Sequence, residues 1–512
     1  MLRLMIAAMI VVPTLGMPAP TAAATCERLS ALSLPNATIT AASSVTSGAF
    51  TIPASTVVPN QAAAGREISG LPPFCRVAAT LTPSRDSDIT IEVWMPLSDW
   101  NHRFLGVGNG GRSGAISYGA MVPALKAGYA VTSTDTGHQS AGNDAAWAMG
   151  HPEKQIDFGY RAVHEMTVRA KAIVEAFYGA APQHAYWNGC SSGGKQGLKE
   201  AQEFPEDYDG IVAGAPANAW TRLSTSMIAV AQVAAAPGGA IPETKYPLIH
   251  RAVLQQCDRL DGVEDGLLEN PARCPFNPGV LQCKDGDSPT CLTGPQVATL
   301  KRAYAPTRSA GGGTVFPGLA MGGERGWGRL PQPFAIGESH YKYVVFADPA
   351  WDFRTFDVDR DLAKADAIDR TVGHLNATDP DLDAFRKRGG KLIQYHGWND
   401  QQISPQNSID YHETVVSRLG DRHDADEFYR LFMVPGMMHC RGGEGATDRF
   451  DALAAVAEWV EHGTAPATIN ASSVKDGSVK RTRPLCPYPL VARWSGSGNP
   501  DEASTFACVD VR

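Results

Sequence analysis

The chain has 512 residues, 43% of them hydrophobic and 19% charged, with 45 Lys and Arg against 53 Asp and Glu for a formal net charge of −8. That composition is a folded globular protein's, and the length exceeds one ordinary core, so two domains, or three, are expected. The acidic balance and the lack of any basic run argue against nucleic acid or an anionic membrane as partner, since both need a basic face.

Residues 1–24 read as a signal peptide: Arg3 supplies a positive start, Leu4 to Leu15 is apolar, and Ala22-Ala23-Ala24 offers an A-x-A cleavage site. Pro13 and Gly16 interrupt the stretch before it reaches the roughly 20 apolar residues that a membrane span needs. Cys26 invites a lipoprotein reading, but Thr25 stands before it where a Gly or Ala would be expected. No later segment is long and apolar enough to span a bilayer, so a secreted or periplasmic protein is expected. Ten cysteines suit such an oxidising compartment. Short separations suggest the pairs Cys26–Cys75, Cys257–Cys274, Cys283–Cys291 and Cys486–Cys508, which leaves Cys190 and Cys440; the sequence alone does not prove this connectivity. Zinc is the rival use of these cysteines, but no C-x-x-C pair occurs.

From about residue 88 to 220, strands and helices alternate. Strands are expected at Ile89–Met95, Arg103–Val107, Tyr129–Ser133, Ala185–Asn188 and Ile211–Gly214, and helices at Tyr160–Tyr178 and Lys195–Phe204. After Trp220 the pattern breaks. Residues 221–384 are richer in Gly, Pro, Cys and aromatics, including Gly311-Gly312-Gly313 and Trp327, Tyr341, Tyr343, Phe346 and Trp351. It resumes with strands at Lys391–Gly397 and Tyr429–Val434 and a helix at Ala452–Val460. The expected fold is α/β with a mostly parallel sheet, interrupted by an inserted lid: a first part at 25–220, the lid at 221–384 and a second part at 385–512.

Gly189-Cys190-Ser191-Ser192-Gly193 fits the G-x-S-x-G elbow, in which a serine sits on a tight strand-to-helix turn and large neighbours would clash. An ordinary glycine turn is the bland alternative, but here a strand precedes the motif and a helix follows it. Asp400 leaves the strand at Lys391–Tyr395, and His439 follows in Pro435-Gly436-Met437-Met438-His439-Cys440. Ser, Asp, His is the chain order of α/β-hydrolases. His396 is a rival base, but it precedes the acid. Cys190 and Cys440 directly neighbour the candidate nucleophile and base. A bond between them would hold their Cα atoms roughly 4.4–6.8 Å apart and bring Ser191 and His439 together. Ser192 would give one oxyanion N–H, and the loop Gly108-Asn109-Gly110-Gly111 the second. That loop lacks the G-x-G-x-x-G spacing of a dinucleotide cradle. In Cys257–Leu267, Asp258, Asp261 and Asp265 form a dense carboxylate loop. It suits a hard cation such as Ca²⁺, without EF-hand spacing, or an ordinary solvated acidic turn.

Gly189–Gly194, Asp400 and His439-Cys440 resemble the tannase/feruloyl esterase family, as do Tyr208–Pro216 and Arg483–Pro489. The resemblance runs from about Cys26 to Cys508. It implies an α/β-hydrolase fold with a large inserted lid, five disulfides in the pairing above, and a structural Ca²⁺ held by Asp258, Asp261 and Asp265 with carbonyls of Val263 and Leu267. It implies Gly111 as the second oxyanion donor and no organic cofactor. Ile403 falls where a relative acting on terephthalate monoesters has an aromatic pocket residue, and no arginine aligns with the one that holds that substrate's carboxylate.

The expected function is a serine carboxylesterase acting on small esters of hydroxycinnamic or related phenolic acids. A tannase, a mono(2-hydroxyethyl) terephthalate hydrolase, and a non-catalytic calcium-stabilised binding protein are the alternatives. Trp327, Tyr341, Tyr343, Phe346 and Trp351 are candidates for the acyl pocket because flat acids bury well against rings, or else they form the lid's own core.

Overall fold

The computed structural model describes residues 24–53, 65–112, 114–140, 142–328 and 330–510. The leader expected at 1–24 lies, apart from Ala24, outside them. A nine-stranded sheet runs through the molecule, built from β1 (Ala37–Val45), β2 (Phe74–Leu81), β3 (Ile89–Pro96), β4 (Arg103–Val107), β5 (Ala130–Thr134), β6 (His184–Cys190), β7 (Gly210–Gly214), β8 (Lys391–Gly397) and β9 (Tyr429–Val434). Their order is β1-β2-β3-β5-β4-β6-β7-β8-β9. The first three strands and the β3–β5 pair are antiparallel, and every pair from β5 to β9 is parallel.

The parallel strands read as short apolar runs because both of their faces are covered. All five residues of β5 and of β7 are buried. Successive residues of β6 point to opposite sides: Ala185 and Trp187 enter one core layer and Tyr186 the other. Helix α1 (Ala162–Tyr178) buries Val163, Met166, Ala170, Ile173 and Val174 on one stripe and stops at Gly179, whose φ of 73° suits a helix end. Helix α2 (Ser192–Glu203) starts three residues earlier than the sequence pattern indicates, because its first turn is the elbow itself.

The chain crosses from β5 through α1 to β6, on the other side of β4, and then moves outward to β7. Connections therefore leave β4 and β6 in opposite directions, and ligands of open α/β sheets bind at such a crevice beyond the strands' carboxyl ends. Between Gly214 and Lys391, among the described residues, the chain adds no strand to this sheet. It forms helices, the first being α3 (Trp220–Ala234), and a small ribbon of Thr307–Arg308 against Thr314–Phe316. Helices α4 (Gln406–Leu419) and α5 (Ala452–His462) belong to the last part of the chain. The structure bonds Cys26–Cys75, Cys190–Cys440, Cys257–Cys274, Cys283–Cys291 and Cys486–Cys508.

Candidate active site

Ser191 sits between the end of β6 and the start of α2 with φ 65° and ψ −120°. This backbone conformation costs a non-glycine residue on the order of 1–3 kcal/mol. The surrounding bonds hold it: Ser191 N–H donates to Gly214 O at 2.9 Å, and Ser191 O accepts from Ala217 N at 3.1 Å and Lys195 N at 3.0 Å. A Cβ on Gly189 would lie 2.5 Å from Gly193 O, so the turn closes only with glycine there. Gly111, at φ 57°, could not carry a side chain either, since a Cβ would collide with Gly142 O. Ser192 Oγ donates to Gly111 O at 2.5 Å, tying the glycine loop to the elbow. As the first residue of α2, Ser192 has an N–H that the helix leaves without an internal partner.

Asp400 and His439 arrive on the loops after β8 and β9. Backbone bonds lace these loops together: Trp398 N–H donates to Val434 O and Asn399 N–H to Met437 O, both at 2.9 Å. His439 Nδ1 bonds Asp400 Oδ2 at 2.7 Å. The His439 N–H donates to Gln401 Oε1 at 3.1 Å. The histidine is partly exposed and Asp400 is buried. The other Asp400 oxygen, Oδ1, accepts from the N–H of Gln402 at 2.8 Å and of Ile403 at 2.9 Å. Burial pushes the Asp400 carboxyl up, but the charge of His439 and bonds from His396 and His439 outweigh it and hold the group well below the carboxylate range. The rival base His396 is fully buried against Asp400, the Ile403 carbonyl and Ser408.

The Cys190–Cys440 bond joins the two halves of this constellation, with Cα atoms 6.0 Å apart. Among the described residues, the Ser191 hydroxyl makes no hydrogen bond; bonds between nucleophile and base often tighten only when substrate is in place.

A small cavity opens beside Ser191, and a larger one adjoins it. The smaller, about 20 Å³, is lined by Ser191, Ser192, Trp220 and Ile403. The larger, about 410 Å³, includes Trp327 in its wall. Leu223, Met227, Phe334 and Gln402 border both. The aromatic candidates are therefore corrected. Tyr341, Tyr343, Phe346 and Trp351 line neither of these cavities. Tyr341 is fully buried, its hydroxyl 2.6 Å from Thr225 Oγ1, in a cluster with Phe346, Trp351 and Phe356. Tyr343 packs near Ala145 and Ala148. The wide helical turn His340–Val345 faces Tyr341 toward α3, so these rings fill the inserted region's own core. The residues missed, Trp220, Leu223 and Met227, lie on α3 at helical spacing directly after β7. Their position one strand past the elbow was the available signal.

Two buried cations near the elbow also escaped sequence reasoning. Lys195 Nζ donates to Gly159 O at 2.8 Å, and burial lowers its pKa to about 7. Arg112, next to Gly111, lies over the Trp220 ring at 4.8 Å and bonds His340 Nδ1 at 2.8 Å; burial lowers it to about 9.

In the carboxylate loop Asp258 and Asp261 are buried. Burial raises both carboxyls, Asp261 to about 7, and the neighbouring carboxylates add to it. Their oxygens rest on loop N–H groups, Asp258 on Gly266 and Asp261 on Val263, while Asp265 meets Arg483. Arg483 and Arg481 offset part of this repulsion at Asp265, and the cluster of hard carboxylate oxygens fits a hard divalent cation. Elsewhere His164, Glu200 and Asp207 bring ligand atoms within 4.8 Å of one another. There burial, and then Asp207, push the Glu200 carboxyl far up, while Lys171 supplies positive charge beside it. Asp207 bonds His164 Nδ1 at 2.7 Å.

The family model for tannase and feruloyl esterase matches residues 75–327 and 329–509. An uncharacterized esterase of Xanthomonas campestris pv. campestris is 37% identical over 538 residues, covering 96% of this chain and 92% of that protein. A probable feruloyl esterase B-1 of Aspergillus flavus is 35% identical over 458 residues, covering 85% and 86%. The crystal structure of feruloyl esterase B from Aspergillus oryzae superposes with a TM-score of 0.88 at 33% identity, covering 94% of this chain and 99% of that one.

Proposed function

Because the chain belongs to the tannase and feruloyl esterase family, a family of carboxylic ester hydrolases of α/β-hydrolase type, we propose that it is a secreted or periplasmic serine esterase cleaving esters of aromatic, hydroxycinnamic-type acids. The observation that carries the mechanism is the 2.7 Å bond between His439 and Asp400, on loops tied to the elbow by Cys190–Cys440. Ser191 Oγ attacks the ester carbonyl while His439 Nε2 takes its proton. Asp400 keeps the imidazole turned toward the serine and stabilises its cationic form. The N–H groups of Gly111 and Ser192 receive the oxyanion. His439 then protonates the departing alcohol, and a water, deprotonated by the same histidine, releases the acid.

The cavity of about 410 Å³ that adjoins the small one at Ser191 supports a ring-sized acyl or alcohol group, since such sites are mostly apolar with a few polar contacts. Five disulfides support export, and no helix among the described residues is long and apolar enough to cross a membrane. Asp258, Asp261 and Asp265, with carbonyls of Val263 and Leu267, would hold a structural Ca²⁺ that takes no part in the chemistry.

A hydrolysis panel tests the substrate class: methyl ferulate, chlorogenate, methyl gallate and mono(2-hydroxyethyl) terephthalate. The two cinnamoyl esters should turn over fastest. A preference for methyl gallate would make the enzyme a tannase, and a preference for the terephthalate monoester would make it a plastic-monomer esterase. A fluorophosphonate probe should label the wild type and leave Ser191→Ala unlabelled. No labelling of either would point to a non-catalytic binding protein.

A further inference from the structure

Asp400 Oδ2 serves two histidines. His439 Nδ1 is 2.7 Å away and His396 Nε2 is 3.1 Å away. Sequence order sets His396 aside as a base, yet it is fully buried beside the acid with every ring nitrogen engaged. Its protonation follows from its partners. Nε2 faces only acceptors, the Asp400 carboxylate and Ile403 O at 3.2 Å, so Nε2 carries a proton. Nδ1 lies 2.7 Å from Ser408 Oγ. That hydroxyl accepts from Gln394 Nε2 at 2.7 Å, and among the described residues Nδ1 is the one acceptor beside it for its own proton. Gln394 Oε1 in turn accepts from the Tyr429 hydroxyl. The chain of donors runs one way, from Tyr429 on β9, through Gln394 on β8 and Ser408 on α4, to His396 and Asp400. This direction places the Nε2–H of His396 on Asp400.

We propose that His396 is a positioning residue, the end of a one-way hydrogen-bond chain from Tyr429 that holds the Asp400 carboxylate ionised and aimed at His439. This rests on the Ser191–His439–Asp400 reading. With His396 in place, Asp400 has four donors for two oxygens: two backbone N–H groups on Oδ1 and two imidazoles on Oδ2. Without it, Oδ2 could swing away from His439, and a buried carboxylate would lose one of the bonds that offset its burial. Among the described residues Ser408 makes no hydrogen bond to Asp400 or His439, and it reaches the acid through its bond to His396. Second-layer groups that orient a histidine partner's ligand act in the same way in metal sites.

The test uses the full-length enzyme with one aryl ester, 4-nitrophenyl acetate, measuring kcat and KM separately beside the thermal midpoint. His396→Leu removes the donor. His396→Gln keeps an N–H near the Nε2 position. Loss of one charge-assisted bond to the acid predicts a fall in kcat of roughly ten- to a hundredfold for His396→Leu, with KM within about twofold. His396→Gln should recover most of that loss. Ser408→Ala, which leaves Nδ1 without its proton donor, should lower kcat by about three- to tenfold. If His396→Leu does not fold, Ser408→Ala and His396→Gln decide. An unchanged kcat in Ser408→Ala overturns the proposal, and so does a loss in His396→Gln equal to that in His396→Leu or seen in KM alone. Ser191→Ala is run alongside. If it retains turnover, the triad itself is wrong, a failure separate from that of His396.

Discussion

Cys190 and Cys440, 250 positions apart in the chain, are bonded with Cα atoms 6.0 Å apart, and each is the chain neighbour of one member of the candidate nucleophile–base pair. Two strained backbones meet at this bond: Ser191 and Cys440 both have φ of 65°. The elbow on β6 and the loop after β9 are thus fixed to each other by a covalent link rather than by packing alone.

Replacing both cysteines by Ala should therefore lower both stability and turnover. The chain-entropy model for a loop of this size gives roughly 5 kcal/mol as an upper guide. The loss in turnover should exceed the loss of folded protein at the assay temperature, because the serine and histidine are released from each other. Circular dichroism melts together with active-site titration measure the two effects. Equal fractional losses would show that the bond only stabilises.

Calcium should act on the inserted region's stability and not on the reaction. The carboxylate loop is linked to the C-terminal strands through Arg483, which pairs with Asp265 and Glu269, and through Arg481. Binding to the folded state alone stabilises by about 2.7 kcal/mol at a hundredfold excess over Kd. Chelation should lower the thermal midpoint while initial rates on the folded enzyme hold. Asp261→Ala should abolish that response. A midpoint indifferent to chelator in both proteins would make the loop an ordinary acidic turn.

Much of the sheet was legible in the sequence. β3, antiparallel to both neighbours, shows as alternation, and β4 through β9 show as short, largely apolar runs because both of their faces are covered. β1, Ala-Thr-Ile-Thr-Ala-Ala-Ser-Ser-Val, was not, since its small side chains, none of them fully buried, leave little pattern. The antiparallel ribbon Ile469–Lys475 against Ser478–Leu485 near the C-terminus was missed for a similar reason: much of it is polar and exposed. Ser191, Asp400 and His439 stood out because a strained turn and a fixed chain order leave marks in residue type. The cavity wall left only a mark of position, the place of α3 one strand past the elbow. Whether Trp351 or Phe334 faces substrate depends on how α3 and the residue-334 loop lie over the sheet, and a ring suits a core as well as a pocket.

Stability should fall in mild acid, and one buried histidine should account for part of the fall. His412 lies edge-on to Tyr429 at 4.7 Å, with both ring nitrogens buried and unbonded. Burial, and then the charge of Arg422, lower its pKa from 6.5 to about 3. Between those values the unfolded chain binds the proton and the folded protein does not. The stability present above pH 6.5 is therefore lost as pH drops toward 3. His138, lowered by burial to about 4, adds to the same slope. His412→Phe should be no less stable than the parent at pH 7 and should show a shallower decline between pH 6.5 and 4 in denaturant titrations. Parallel curves for the two proteins would mean that His412 takes up its proton without unfolding.

Specificity should lie with the residues that border both cavities rather than with the aromatic cluster of the inserted region. Phe334 is partly exposed at the junction of the two cavities, and Tyr341 is fully buried with its hydroxyl against Thr225. Phe334→Ala removes a wall that substrate can touch and little that holds the fold. It should change kcat/KM for methyl ferulate and methyl gallate by different factors while the thermal midpoint stays near the parent's. Tyr341→Ala leaves a large cavity in the buried cluster against α3. It should cost roughly 3–5 kcal/mol and affect both esters alike through the fraction folded. The two variants thus separate wall from core in one experiment. If Phe334→Ala kept the parent's substrate ranking, the discriminating contact would fall to Met227 or Gln402, which border the same two cavities.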